Sequence, residues 1–177
     1  MENLPSQHPH MHTELPVVSG WISSSEFGTA TYPPHGEFRL RQDGHVVFYE
    51  ATGPFNLQAV QCLAKARDAL VSGQRAATLL AAVVHFRHSV VMAPDAFSAW
   101  EQGLKQFAAQ GVALAGVAWV ALPEVEGFQF LLSRYRAIFD AAQIPFAVFT
   151  DLPLACDWVR GRLDTHERRD SPPLAHG

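Results

Sequence analysis

Val46-Val47-Phe48-Tyr49-Glu50-Ala51-Thr52 is a β-branched and aromatic run that halts at Gly53-Pro54, and Asn56 then stands where a helix N-cap belongs. The same alternation of extended run, breaker and helical stripe continues down the chain. Phe38 to Arg41 and His45 to Ala51 predict two strands joined by the turn Gln42-Asp43-Gly44, since Asp-Gly is a favoured hairpin pair. A helix follows from Leu57 to about Val71, with Val60, Leu63, Ala64, Arg67 and Leu70 on one side and Ser72-Gly73 as its stop. Ala76 to Phe86 lacks alternation in Leu79-Leu80-Ala81-Ala82-Val83-Val84, the pattern of a strand covered on both faces.

Pro94 suits the first position of a second helix, and Asp95 complements its dipole. Phe97, Trp100, Leu104 and Phe107 give that helix a core stripe, and Gly111 ends it. Val112 to Leu122 predicts another two-sided strand, closed by Pro123. A third helix is expected from about Val125 to Ala142, burying Phe128, Leu131, Leu132, Tyr135, Phe139 and Ala142. Phe146 to Phe149 reads as the last strand, and a final helix spans about Leu152 to Leu163. The order is therefore ββαβαβαβα, which implies an α/β domain with a mixed, mostly parallel central sheet and covering helices.

Both flanks lack a period. Residues 1–36, broken by Pro5, Pro9, Pro16, Pro33 and Pro34, predict an irregular arm, from which Pro16-Val17-Val18 and Trp21-Ile22 can dock on the domain. Residues 164–177, polar and carrying Ser171-Pro172-Pro173, predict a flexible tail. A single folded domain over 37–163 remains.

Composition narrows the functional classes. Between Glu37 and Leu163 eleven Lys/Arg balance eleven Asp/Glu, so the domain has no basic footprint for nucleic acid. Charged residues make up only 17% of the chain, so some apolar surface is expected to be covered by a partner or ligand. Cys62 and Cys156 fall in predicted helices and read as reduced, packed thiols. The longest apolar stretch, Val112 to Leu122, is too short for a membrane span, and no secretory leader is visible. A cytoplasmic protein is the expectation.

The element order, the strand leading into Gly53-Pro54-Phe55-Asn56, and Thr150-Asp151-Leu152-Pro153-Leu154-Ala155 at the last helix resemble the STAS domain. Within it, the chain is similar to SpoIIAA-like (STAS/SEC14-type) bacterial proteins over roughly residues 37–163. The resemblance implies a small module without catalysis that binds a partner or an apolar or anionic ligand. One departure matters. STAS antagonists of anti-sigma factors carry an Asp-Ser-Ser-Gly-like phosphorylation turn before the second helix. Here Arg87-His88-Ser89-Val90-Val91-Met92-Ala93-Pro94-Asp95 replaces it, with Ser89 well before the helix tip.

Chemistry-bearing residues are sparse. Arg87, His88 and Ser89 at the carboxyl end of a central strand, with Asp95 at the next helix, form a candidate ligand rim, because ligands of open α/β sheets sit beyond strand carboxyl ends. His85 belongs to the same run, but strand alternation sends it and His88 apart, and solvated loop residues explain the rim as simply. Phe130, Arg134 and Ile138 lie off the main stripe of the third helix and form a candidate interface, although isolated exposed apolar residues are ordinary. Glu50 is the one carboxylate set among apolar strand neighbours, and an edge-strand charge accounts for it equally. His8, His10, His12 and Glu14 lie in a Pro-broken arm, which does not fix metal ligands. Neither Gly-x-Ser-x-Gly nor a phosphate-binding Gly-rich pattern occurs, so no catalytic residues, metal or cofactor are expected.

Two functional readings follow. The first is a non-enzymatic regulatory or protein-interaction module, acting on a partner or as a homodimer. The second is a carrier or sensor that holds an apolar or amphipathic anionic, lipid-like ligand between sheet and helices, with Arg87 and His88 at its head group.

Overall fold

The computed structural model describes residues 20–29, 31–72, 79–109 and 113–170. The histidines of the arm and the Ser-Pro-Pro tail lie outside them. Six strands form one sheet in the order β1 to β6: Ile22–Ser23, Glu37–Asp43, Val46–Thr52, Leu79–Arg87, Ala113–Val120 and Phe146–Phe149. The first three pair antiparallel and the last four parallel, so the sheet is mixed and mostly parallel as expected. Helices α1 (Leu57–Val71), α2 (Pro94–Ala109), α3 (Phe128–Ala141) and α4 (Leu152–Asp170) complete the domain.

Strand order rising steadily with the sequence has a geometric consequence. Each β-α-β crossover must be right-handed, so α1, α2 and α3 all fall on one face. That face holds the larger core, where Leu63, Leu70, Phe97, Leu104, Phe107, Tyr135 and Phe139 meet Leu40, Leu80, Phe86, Val117 and Trp119. Helix α4 follows the last strand and is free of the crossover rule. It turns back over the opposite face, where Ala155, Val159 and Leu163 pack on Ala81, Val83, Ala118 and Val120. A side chain at Gly116 would collide with the Trp158 ring, 2.9 Å from an added Cβ, so glycine admits α4 here.

Local signals explain the boundaries. Asn56 caps α1 by accepting the Ala59 amide at 2.9 Å, and it also accepts the His35 amide at 2.9 Å. The hairpin turn is Gly44-His45 rather than one centred on Asp43-Gly44, with Gly44 at φ +57° as first central residue, which II′-type turns require. Helix α3 starts later than its apolar spacing suggests. Glu126 instead donates its amide to the His88 carbonyl and accepts from the Val90 amide, and Gly127 at φ +76° redirects the chain.

Two flank expectations change. The second half of the arm is built into the domain: Ile22–Ser23 adds an edge strand, and the buried Ser24 hydroxyl accepts the Phe38 amide at 2.9 Å. A polar run still folds when each polar group finds a defined partner. At the other end α4 continues to Asp170, because nothing stops it before Ser171-Pro172.

Candidate functional site

An apolar cavity lies between the sheet and the α1–α2 pair. It has a volume of about 100 Å³ and is walled by Leu63, Val84, Phe86, Met92, Trp100, Leu104, Phe107 and Trp119, among others. Among its described lining residues only Arg67 from α1 and Tyr49 from β3 carry a strongly polar group. Arg67 faces inward because it occupies the apolar stripe of α1 beside Leu63 and Leu70. Its guanidinium carbon stands 4.5 Å from the centre of the Phe107 ring, and its Nε is buried without a hydrogen-bond partner. The nearest acid oxygen to Nε, Asp68 Oδ1, is 4.0 Å away on a side chain that is 61% exposed. Burial pushes the Tyr49 phenol above its ordinary pKa, and the Arg67 charge partly offsets this.

The rim residues do not converge. Arg87 is exposed on the α4 side of the sheet, paired with Thr52, whereas its neighbour Phe86 faces the cavity. His88 is exposed with φ +65°, a left-handed backbone that histidine adopts more readily than most residues. Ser89 is 1% exposed, and its Oγ accepts the Val91 amide at 3.1 Å. Asp95 is exposed, and its carboxylate accepts the Ala96 amide at 2.8 Å. Arg87 and His88 are therefore no head-group site for this cavity. The rim loop is instead stitched shut, with Phe55 donating its amide to the Val91 carbonyl and Tyr135 donating its hydroxyl to the Val90 carbonyl at 2.8 Å.

On α3, Phe130 is 88% exposed, and Arg134 and Ile138 line a shallow groove of about 370 Å³ against α2. The Arg134 guanidinium carbon stands 3.6 Å from the centre of the Phe97 ring. Ile138 is half-buried against the core, so of the three only Phe130 projects freely.

The opposite sheet face also carries Arg39, Arg41, Glu50 and His85. Glu50 is not on an edge: β3 is interior, and the carboxylate bonds Arg39 at 3.2 Å. His85 sits beside Glu50 in register; burial, then Arg87, lower its pKa below 6.5, and Glu50 opposes them. Between the folded and unfolded pKa values the unfolded chain holds more protons, so stability drops as pH falls through 6.5 and levels off below the folded value. Melting temperature followed from pH 7 to pH 5 should fall more steeply in the parent than in His85→Asn. Parallel curves would show that His85 does not contribute.

Among the described residues no cluster of three or more His, Cys, Asp or Glu is arranged to hold a metal, and no helix is long and apolar enough to cross a membrane. No family model matches the chain, and no curated protein does. Among solved structures, "The overall structure of SLC26A9" is similar over 72% of this chain, at 10% identity and a TM-score of 0.47. The chain spans 22% of that one's length.

The sequence carries one signal for the cavity. Arg67 stands in the apolar stripe of α1, and a charge at a core position marks either a buried pair or a site. The cavity depends on how three elements fail to fill space, which no single segment reveals.

Proposed function

We propose that this chain is a non-enzymatic binding module of STAS-like character, and that its working part is the cavity between the sheet and α1–α2. It acts as a carrier or sensor for a small apolar or amphipathic ligand. The observation that carries this reading is the cavity itself: apolar walls, two polar groups, and a place inside the larger core. Protein interiors normally pack without such voids, because unfilled space forfeits dispersion contacts. An apolar guest recovers them. The STAS-like character rests on the Gly53-Pro54-Phe55-Asn56 turn and the element order.

A regulatory or protein-interaction role is the second reading, favoured by Phe130, since an aromatic ring at 88% exposure is a common anchor at protein contacts. One measurement separates the two. Native mass spectrometry of protein purified without detergent should show a retained small-molecule mass on a monomer if the cavity is the working part. A bare dimer mass that collapses to monomer in Phe130→Asp would favour the second reading and count against the first.

A further inference from the structure

We infer that the guest of the α1–α2 cavity is a monocarboxylate with a compact apolar body about the size of a benzene ring, its carboxylate paired with Arg67 and hydrogen-bonded by Tyr49. This rests on the reading of the cavity as a ligand site and names its chemistry.

Three observations lead there. First, Arg67 is a cation drawn into an apolar setting without a comparable anion among the described residues. Its side chain is 17% exposed, while that of Asp68 is 61% exposed, with a 4.0 Å separation beyond hydrogen-bond range. A buried polar atom left unpaired is costly, and Nε is one. An incoming carboxylate at the accessible part of the guanidinium neutralises the charge, because its parallel N–H donors match two carboxylate oxygens. Second, among the described residues Arg67 is the sole formal charge lining the cavity. A monoanion neutralises it. A phosphate dianion leaves a net negative charge in low dielectric, which the apolar walls do not compensate. Third, size limits the body. An apolar cavity of about 150 Å³ admits benzene; this one measures about 100 Å³, so even a ring-sized body enters only as the wall at Met92 gives way. A long acyl chain is excluded unless the walls move. Met92 in the wall has the flexible, unbranched side chain that accommodates a ring-sized body. The residual exposure of Arg67 sets the orientation, with the carboxylate at the mouth and the body inward.

Calorimetry at pH 8 with three probes of one skeleton class tests this: phenylacetate, 2-phenylethanol and phenyl phosphate. Phenylacetate should bind at least tenfold more tightly than the alcohol or the phosphate. Arg67→Leu should reduce phenylacetate to the level of the alcohol while leaving the alcohol unchanged. Arg67→Lys should restore part of the difference, and Tyr49→Phe should weaken phenylacetate alone, by a few fold. Should Arg67→Leu fail to fold, the parent's probe ranking and Tyr49→Phe still decide. Equal binding of phenylacetate and the alcohol, or tightest binding of the phosphate, overturns the carboxylate assignment and leaves the cavity as a ligand site. If none of the three binds, the cavity is no ligand site, and the assignment falls with it.

Discussion

Gly53→Ala is expected to cost about 3 kcal/mol, at the upper end of overpacking penalties. An added Cβ would overlap the Ser89 carbonyl oxygen and approach Phe55 Cε2 to 2.7 Å. Neither neighbour can yield cheaply. The Ser89 segment is held by the Val90 amide donating to the Glu126 carbonyl, the Glu126 amide donating to the His88 carbonyl, and the Tyr135 hydroxyl donating to the Val90 carbonyl. Phe55 is 2% exposed and stacked on Phe38, with ring centres 4.3 Å apart. Relief of the overlap thus requires two anchored loops to separate. Urea titration should show a lower midpoint with an unchanged slope. An unchanged midpoint would mean that the two loops move independently, against the stitched rim described above.

Trp119→Ala should be larger still, about 3–5 kcal/mol, against a total stability of roughly 5–15 kcal/mol for a domain. Trp119 is 2% exposed, and its ring centre lies 4.5 Å from Phe86, 4.7 Å from Tyr135 and 5.3 Å from Phe146. Truncation removes those contacts and leaves a void continuous with the cavity it lines. A fall in melting temperature of roughly 6–20 °C follows for a chain of this size. The void also supplies its own control. Benzene at a hundred times its dissociation constant should return about 2.7 kcal/mol, because a dry apolar void takes an apolar guest. A melting temperature insensitive to benzene would show that the walls collapse, and that the space beside Trp119 does not behave as a ligand chamber.

The hydrophobic period was a good guide wherever burial is decided locally. Leu57–Val71 and Phe146–Phe149 fall where their stripes and breakers put them, and the unalternating runs of β4 and β5 do lie between helical layers. The Asn56 cap was legible for the same reason: a short polar side chain before an apolar stripe has one economical use. Reading failed where partners are remote. Ser24 looks like a loop residue until Phe38 is placed beside it, whereas the docking expected of Trp21-Ile22 does occur, as the edge strand Ile22–Ser23 on β2. The tail reads as polar, yet α4 needs only the absence of a breaker to continue to Asp170.

The candidate site divides along the same line. That Arg87, His88 and Ser89 end a central strand could be read directly, and they do. That Ser89 is sealed, Arg87 faces away from the cavity and Asp95 serves its own helix could not, because those facts belong to loops meeting from three crossovers. Residue order alone thus dictated an α/β domain, its helix starts and its two-sided strands, since periodicity and capping act within a few residues. The assembled layers settled which face α4 covers, which polar groups are tied off, and where space was left beside Arg67. Those outcomes depend on volumes and partners brought together from segments distant in the chain.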